Sequence, residues 1–110
     1  VILKTSGGRL AMAVLPAARP VDLEAAGAAL GGTVELAREE EFASRFGDCE
    51  VGAEPPLGNI YGMPVYVDAS LRVDPEIVFN AGTHAEAIRM RYADFERVVH
   101  PTALPLSRAS

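Results

Sequence analysis

Apolar residues fall along this chain in short bursts, each cut by glycine, proline or a small polar cluster. Val1–Thr5 is apolar and β-branched, which predicts a strand. Ser6-Gly7-Gly8-Arg9 follows, and a Gly-Gly pair suits a tight hairpin that needs positive φ. Leu10–Leu15 is a second apolar run, stopped by Pro16. Its alternating residues, Met12 and Val14 against Ala11 and Ala13, make both faces apolar, which predicts a central strand.

The next pattern has helical spacing. Asp22 stands where an N-cap belongs, Leu23, Ala26 and Leu30 share one face, and Gly31-Gly32 ends the run. Val34–Ala37 predicts a short strand and Arg38–Phe46 a second helix. Glu39, Glu40 and Glu41 open that helix as a solvated acidic start, with Phe42 and Phe46 four apart on its inner face. Cys49–Gly62 carries Gly52, Pro55, Pro56, Gly58 and Gly62, which predicts a structured loop. Pro64–Asp68 and Glu76–Asn80 predict strands around a turn region at Ala69–Pro75. Ala87–Arg91 alternates as a strand, with Arg89 and Arg91 on an exposed face. Tyr92–Val99 predicts a last helix with Phe95, Val98 and Val99 turned inward, and the tail after His100-Pro101 reads as loose. Six short strands and three or four helices emerge without internal repeats. Consecutive strands without helices between them favour an α+β (mixed α/β) fold with a mixed sheet over a doubly wound parallel one.

Composition narrows the class. At 110 residues the chain is one domain's worth, and 49% hydrophobic residues are enough for a core. No apolar run approaches the ~20 residues that span a bilayer. A single cysteine, Cys49, excludes an internal disulfide framework and a multi-cysteine zinc site, so the reducing cytoplasm is the expected compartment. The formal charge of −5 argues against broad wrapping of nucleic acid, but not against gripping one end of an RNA. The chain begins with Val1 inside a strand, which leads us to expect a natural segment upstream.

Three places could carry chemistry. Gly52-Ala53-Glu54-Pro55-Pro56-Leu57-Gly58 is stiffened by two prolines, while its glycines permit close approach. Such a loop can present backbone N–H groups to a polarised carbonyl, or it can be merely a rigid connection. His84, after Gly82-Thr83 at a strand end, could place water or act as acid or base, or it could be an ordinary surface histidine. Cys49 lacks a sequence-local histidine and reads as structural. Lys4, Arg9 and Arg19 could touch a phosphate, although a solvated role is the simpler expectation. No phosphate-binding glycine motif, nucleophile elbow or metal-ligand pair at helical spacing is present.

Read in order, four stretches resemble the YbaK/EbsC family of prolyl-tRNA-synthetase-associated editing domains. They are Leu10–Pro16 with its following helix, Val34–Phe46, Gly52–Gly58 running into Gly62–Asp68, and Phe79–His84 with the strand and helix beyond. The resemblance implies a curved six-stranded mixed sheet with flanking helices, a single editing domain over 1–110. It implies hydrolysis of a mischarged small amino acid from the 3′-terminal adenosine of tRNA. Editing of this kind is needed because a synthetase pocket rejects a smaller side chain only weakly. Carried over residue by residue, it makes Gly52 and His84 catalytic. It places Gly52, Ala53, Pro55, Pro56, Gly58, Gly82 and Thr83 around the substrate. The family's lysine precedes its first core strand. Lys4 lies at the other end of the strand here and does not take that role.

The implied partners are the tRNA acceptor (CCA) end and an aminoacyl-tRNA synthetase, with no membrane, no DNA, no metal and no cofactor. Two alternatives stand beside this reading: a non-catalytic binding or regulatory module on the same fold, and a hydrolase of another small ester. If the Gly52 loop holds the ester carbonyl, Gly52→Val should cut deacylation at least about a hundred-fold while circular dichroism stays unchanged. Full activity in that variant would remove the loop from the site.

Overall fold

The computed structural model of the protein describes residues 1–16, 19–46, 56–58, 62–73, 75–80, 83 and 85–107. Strands β1 (Ile2–Thr5) and β2 (Leu10–Val14) form the first hairpin, whose turn places Gly8 at φ 79°. Helix α1 (Leu23–Leu30) follows, then β3 (Val34–Leu36) and α2 (Glu39–Phe42), which continues as a 3-10 turn over Ala43–Phe46. Strand β4 (Val65–Asp68) leads through a 3-10 turn at Ala69–Val73 to β5 (Glu76–Asn80) and β6 (Ala87–Arg91). Helix α3 (Tyr92–Val99) and β7 (Thr102–Leu104) complete the order.

The expected six-stranded sheet is corrected to two sheets among the described residues. Five strands run in the order β3-β1-β2-β4-β7, and β5 pairs with β6 separately. The larger sheet is mixed: β1 is antiparallel to β2 and β3, whereas β4 is parallel to β2 and β7. Strand β2 occupies the middle, as its two apolar faces require.

Each face of that sheet is covered. On one, Ile2, Met12, Val65 and Val67 pack with Phe95 and Val99 of α3 and Ile77 of β5. On the other, Leu3 and Ala13 pack with Ala26 of α1 and with Leu106. The Asp22 carboxylate caps α1 by accepting from the Ala25 N–H at 3.1 Å, and Gly31 ends the helix at φ 78°. Inside α1, a Cβ on Gly27 would lie 2.6 Å from the Gly32 carbonyl oxygen, so only glycine fits this turn.

Two expectations about the C-terminal part are corrected. Val98 is half exposed, and Tyr92 takes its place in the core, so the buried face of α3 is Tyr92, Phe95 and Val99. That spacing follows the helical period, with Tyr92 one turn before Phe95. Over residues 102–107 the tail is not loose. Thr102–Leu104 extends the sheet and Leu106 is fully buried.

What fixes the tail is Asp68, a buried carboxylate at the end of β4. It accepts from the Leu106 N–H at 2.8 Å, the Ser107 N–H at 2.9 Å and the Ser107 hydroxyl at 3.0 Å. The Ser70 N–H donates at 3.3 Å and the Ser70 hydroxyl also donates. Burial pushes the Asp68 pKa up, but the donors from Ser70, Leu106 and Ser107 outweigh it and hold the group below its ordinary value of 3.8.

A carboxyl group whose folded pKa lies below its unfolded one stabilises fully above the unfolded value. That contribution is lost as pH falls through the folded value. Asp68→Ala should therefore destabilise by about 3 kcal/mol at neutral pH, because it strands the Leu106 and Ser107 donors. Denaturant titrations between pH 7 and 2 should show the wild type losing that advantage only below about pH 4. Equal stability of the two proteins at pH 7 would mean that the tail is held otherwise.

Candidate functional site

The described end of the Gly/Pro stretch and the hairpin of β5 and β6 pack on one side of the sheet. Pro56 and Gly58 are buried, and Leu57 packs on the cluster formed by Met12, Val65 and Phe95. The hairpin of β5 and β6, whose connection contains Thr83, sets Ile77, Phe79 and Met90 against that same cluster. Gly52, Ala53, Pro55, Gly82 and His84 lie outside the described residues, as does Cys49. The structure thus places Pro56, Gly58 and Thr83 from the expected set.

Gly58 owes its identity to what lies beneath it. Met12 and Val65 are register partners on β2 and β4. A Cβ on Gly58 would meet the Val65 Cγ2 at 3.0 Å, the Met12 Cβ at 3.1 Å and the Met12 Sδ at 3.3 Å. The chain then turns back: the Gly58 carbonyl accepts from the Met63 N–H at 2.9 Å, and Gly62 takes φ 74°. The Met12 N–H donates to the Pro64 carbonyl at 2.9 Å, which seats the returning segment on the central strand. The end of the Gly/Pro stretch is therefore pressed onto the sheet by backbone hydrogen bonds and by the lack of a side chain.

Thr83 sits between Asn80, which ends β5, and Ala87, which starts β6. Its Oγ1 is buried and has no hydrogen-bond partner.

The charged residues divide differently from expectation. Lys4 is not solvated alone: its Nζ lies 2.7 Å from the Glu41 carboxylate. Glu41, expected in a solvated helix start, also accepts from the Arg38 N–H at 2.9 Å. The Lys4 hydrogen bond, with the Arg38 N–H behind it, holds the Glu41 pKa down to about 2. Reciprocally, the Glu41 hydrogen bond and charge raise the Lys4 pKa above its ordinary value. The pair ties β1 to α2, a link that sequence reading missed because partners this far apart follow no local spacing. Arg89 and Arg91 are exposed as expected, with Arg91 paired to Asp94 at 3.0 Å. A shallow groove of about 270 Å³ is lined by Lys4, Thr5, Ser6 and Thr33 among others, and by none of Pro56, Gly58 and Thr83. Among the described residues, no helix is long and apolar enough to cross a membrane, and no three His, Cys, Asp or Glu side chains converge as metal ligands.

Comparisons with known proteins align with this arrangement. The sequence model of the aminoacyl-tRNA editing domain matches residues 1–98. No curated protein matches. Among solved structures, hypothetical protein APE2540 superposes with a TM-score of 0.86 at 18% identity, covering 98% of this chain and 71% of that one. A protein named as a candidate trans-editing enzyme for prolyl tRNA synthetase gives 0.84 at 23% identity, covering 99% and 68%. A candidate signal transduction protein from Marinobacter aquaeolei VT8 gives 0.85 at 20% identity, covering 99% of this chain but 24% of that one.

Adding one methyl at Gly58 should force the Met12–Val65 pair apart. Gly58→Ala is expected to lower stability by about 1–3 kcal/mol, as overpacking does. Thermal denaturation checks this, and an unchanged melting temperature would show that the loop lifts away from the sheet at no cost.

Proposed function

The chain belongs to the aminoacyl-tRNA editing domain family, and we propose that it hydrolyses the ester joining a mischarged small amino acid to the 3′-terminal adenosine of tRNA. The family match over residues 1–98 carries this reading. The fold supports it, since the end of the Gly/Pro stretch and the hairpin bearing Thr83 pack on one face of the sheet.

In this reading a water attacks the ester carbonyl and negative charge develops on its oxygen. Backbone N–H groups around Gly52 meet that charge, in the manner of an oxyanion hole. Pro55 and Pro56 hold the loop stiff, so its donors need no reordering during reaction. His84 places substrate or water, and the substrate's own ribose hydroxyl relays the proton. The formal charge of −5 is compatible with an RNA partner if the chain grips only the CCA end. The neighbour named for prolyl tRNA synthetase supports a synthetase as the companion that holds the rest of the tRNA.

Release of amino acid from tRNAs carrying alanine, cysteine, serine or proline tests the proposal. One carrier should be hydrolysed at least about a hundred-fold above the spontaneous rate, which also names the substrate. Spontaneous rates across the whole panel, from protein with a cooperative unfolding transition, would reject deacylation.

A further inference from the structure

Strands β5 and β6 form an antiparallel pair with one face in the core and the other in water. Ile77, Phe79 and Met90 belong to the inner face. Side chains alternate along a strand, so Glu76 and Val78 of β5 share the outer face with Ala87, Arg89 and Arg91 of β6. All of these are exposed. The register sets Arg89 opposite Val78 and Arg91 opposite Glu76. Glu76 is the one acid among them.

A further guanidinium joins from α3. The Asp94 carboxylate accepts from the Arg91 Nε at 3.0 Å and from an Arg97 terminal nitrogen at 3.1 Å. One carboxylate thus gathers two cations and offsets the charge of one. Arg89 has no ion-pair partner among the described residues. Arg89, Arg91 and Arg97 together outnumber Glu76 and Asp94, on a chain whose formal charge is −5. Helix stability does not ask for this arrangement. Arg91 stands at the N-cap of α3 without a side-chain cap hydrogen bond, at the helix end where a cation is least favourable.

Such a face suits a row of phosphates. Arg89 and Arg91, two apart on one strand face, are spaced by about 7 Å. That is comparable to the step between successive phosphates of one nucleic-acid strand. The guanidinium fork matches phosphate oxygens, and the exposed Val78 beside Arg89 offers a sugar an apolar contact.

We infer that this stripe seats the first phosphates of the acceptor stem, the double-helical part of tRNA next to its CCA end. The inference rests on the deacylase reading for its partner and adds the surface that orients it. The hairpin itself makes the connection to the candidate site: Arg89 lies two residues from Ala87, where the segment containing Thr83 begins. Duplex RNA is met mostly through its backbone and 2′-hydroxyls. The stripe therefore aligns the substrate and leaves the choice of amino acid to the pocket. A few guanidiniums meet only a few phosphates, which an acidic chain can accommodate at one end of an RNA.

Fluorescence anisotropy with two uncharged, labelled RNAs tests this. One is a hairpin of the acceptor stem ending in CCA; the other is a short single strand with the same ending. Both are titrated over a range of salt with the wild type, Arg89→Gln, Arg89→Lys, Arg89→Glu and Arg9→Gln. The wild type should prefer the hairpin. Arg89→Gln should weaken hairpin binding about three- to ten-fold and reduce the slope of log affinity against log salt by about one. Arg89→Glu should weaken it further, and Arg89→Lys should keep the slope. Binding of the single strand should not change. Arg9→Gln makes the same charge change on the exposed β1–β2 turn and should leave both RNAs unaffected. On mischarged tRNA, Arg89→Gln should raise KM with kcat unchanged, the mark of binding shared by ground and transition states.

Wild-type hairpin affinity and salt slope in Arg89→Glu would overturn the inference and leave the stripe to a protein partner or to solvent. Equal losses on the two RNAs would overturn it by moving the contact to the CCA end. An equal loss in Arg9→Gln would do so by reducing the effect to net charge, and a wild type without preference for the hairpin would remove the duplex altogether. None of these outcomes touches deacylation. Hydrolysis of no carrier, by a protein that still binds the hairpin through Arg89, would reject the deacylase reading and keep the stripe as an RNA contact.

Discussion

The structure depends on one constraint, the burial of β2 on both of its faces. A strand in that position must be flanked by neighbours on either edge and by a layer above and below. The sequence divides the two faces by size. Ala11 and Ala13 present a shallow face, and Met12 a deep one. Over the shallow face a helix can come close, and α1 does so with Ala26. Over the deep face lie bulkier elements, α3 with Phe95 and the β5–β6 hairpin with Ile77 and Phe79. The right number of layers follows from the apolar period of a single strand, and their thickness from its residue sizes.

The candidate site inherits its position from the same strand. Gly58 rests on Met12 and Val65, a register pair at the centre of the sheet. A site carried on loops is more exact when its loop ends are fastened to rigid elements. Here the fastening is an absent side chain at Gly58 and two backbone hydrogen bonds, from the Met63 N–H to the Gly58 carbonyl and from the Met12 N–H to the Pro64 carbonyl. Neither device depends on rotamers or on charge, so the anchor holds over a wide range of pH and salt.

Local patterns in the sequence were enough to find most of the elements. The β1–β2 hairpin, the Asp22 cap, the Gly31 stop and the strand at Glu76–Asn80 all follow from residues within a few positions of one another. The misreadings occurred where distant partners decide. Thr102–Leu104 is too short to show a period and lies between two prolines, so nothing local marks it as a strand. Its placement comes from parallel pairing with β4 and from the Asp68 hydrogen bonds. Lys4 and Glu41 each look solvated in sequence because their pairing crosses from β1 to α2. The apolarity of Val98 predicts an inward position, but Tyr92 has the better place on the helix face. Of the candidate site, the chain resembles its family clearly in motif order. The contacts beneath Gly58 and the orphaned Thr83 hydroxyl are facts of packing that no motif records.

The Asp68 network also bears on the order in which the protein can be made. Its carboxylate and the Leu106 N–H it accepts from are 38 residues apart, so on the ribosome the acid emerges well before its donor. Until then the aspartate has only the Ser70 donors and water as partners, and the far edge of β4 is unpaired. Parallel pairings such as β2 with β4 and β4 with β7 are slow to form in any case, since long loops must close first. The nascent sheet therefore stays open on the β4 side until synthesis delivers the tail. In that interval an acid at the strand end discourages neighbouring nascent chains from adding to the exposed edge.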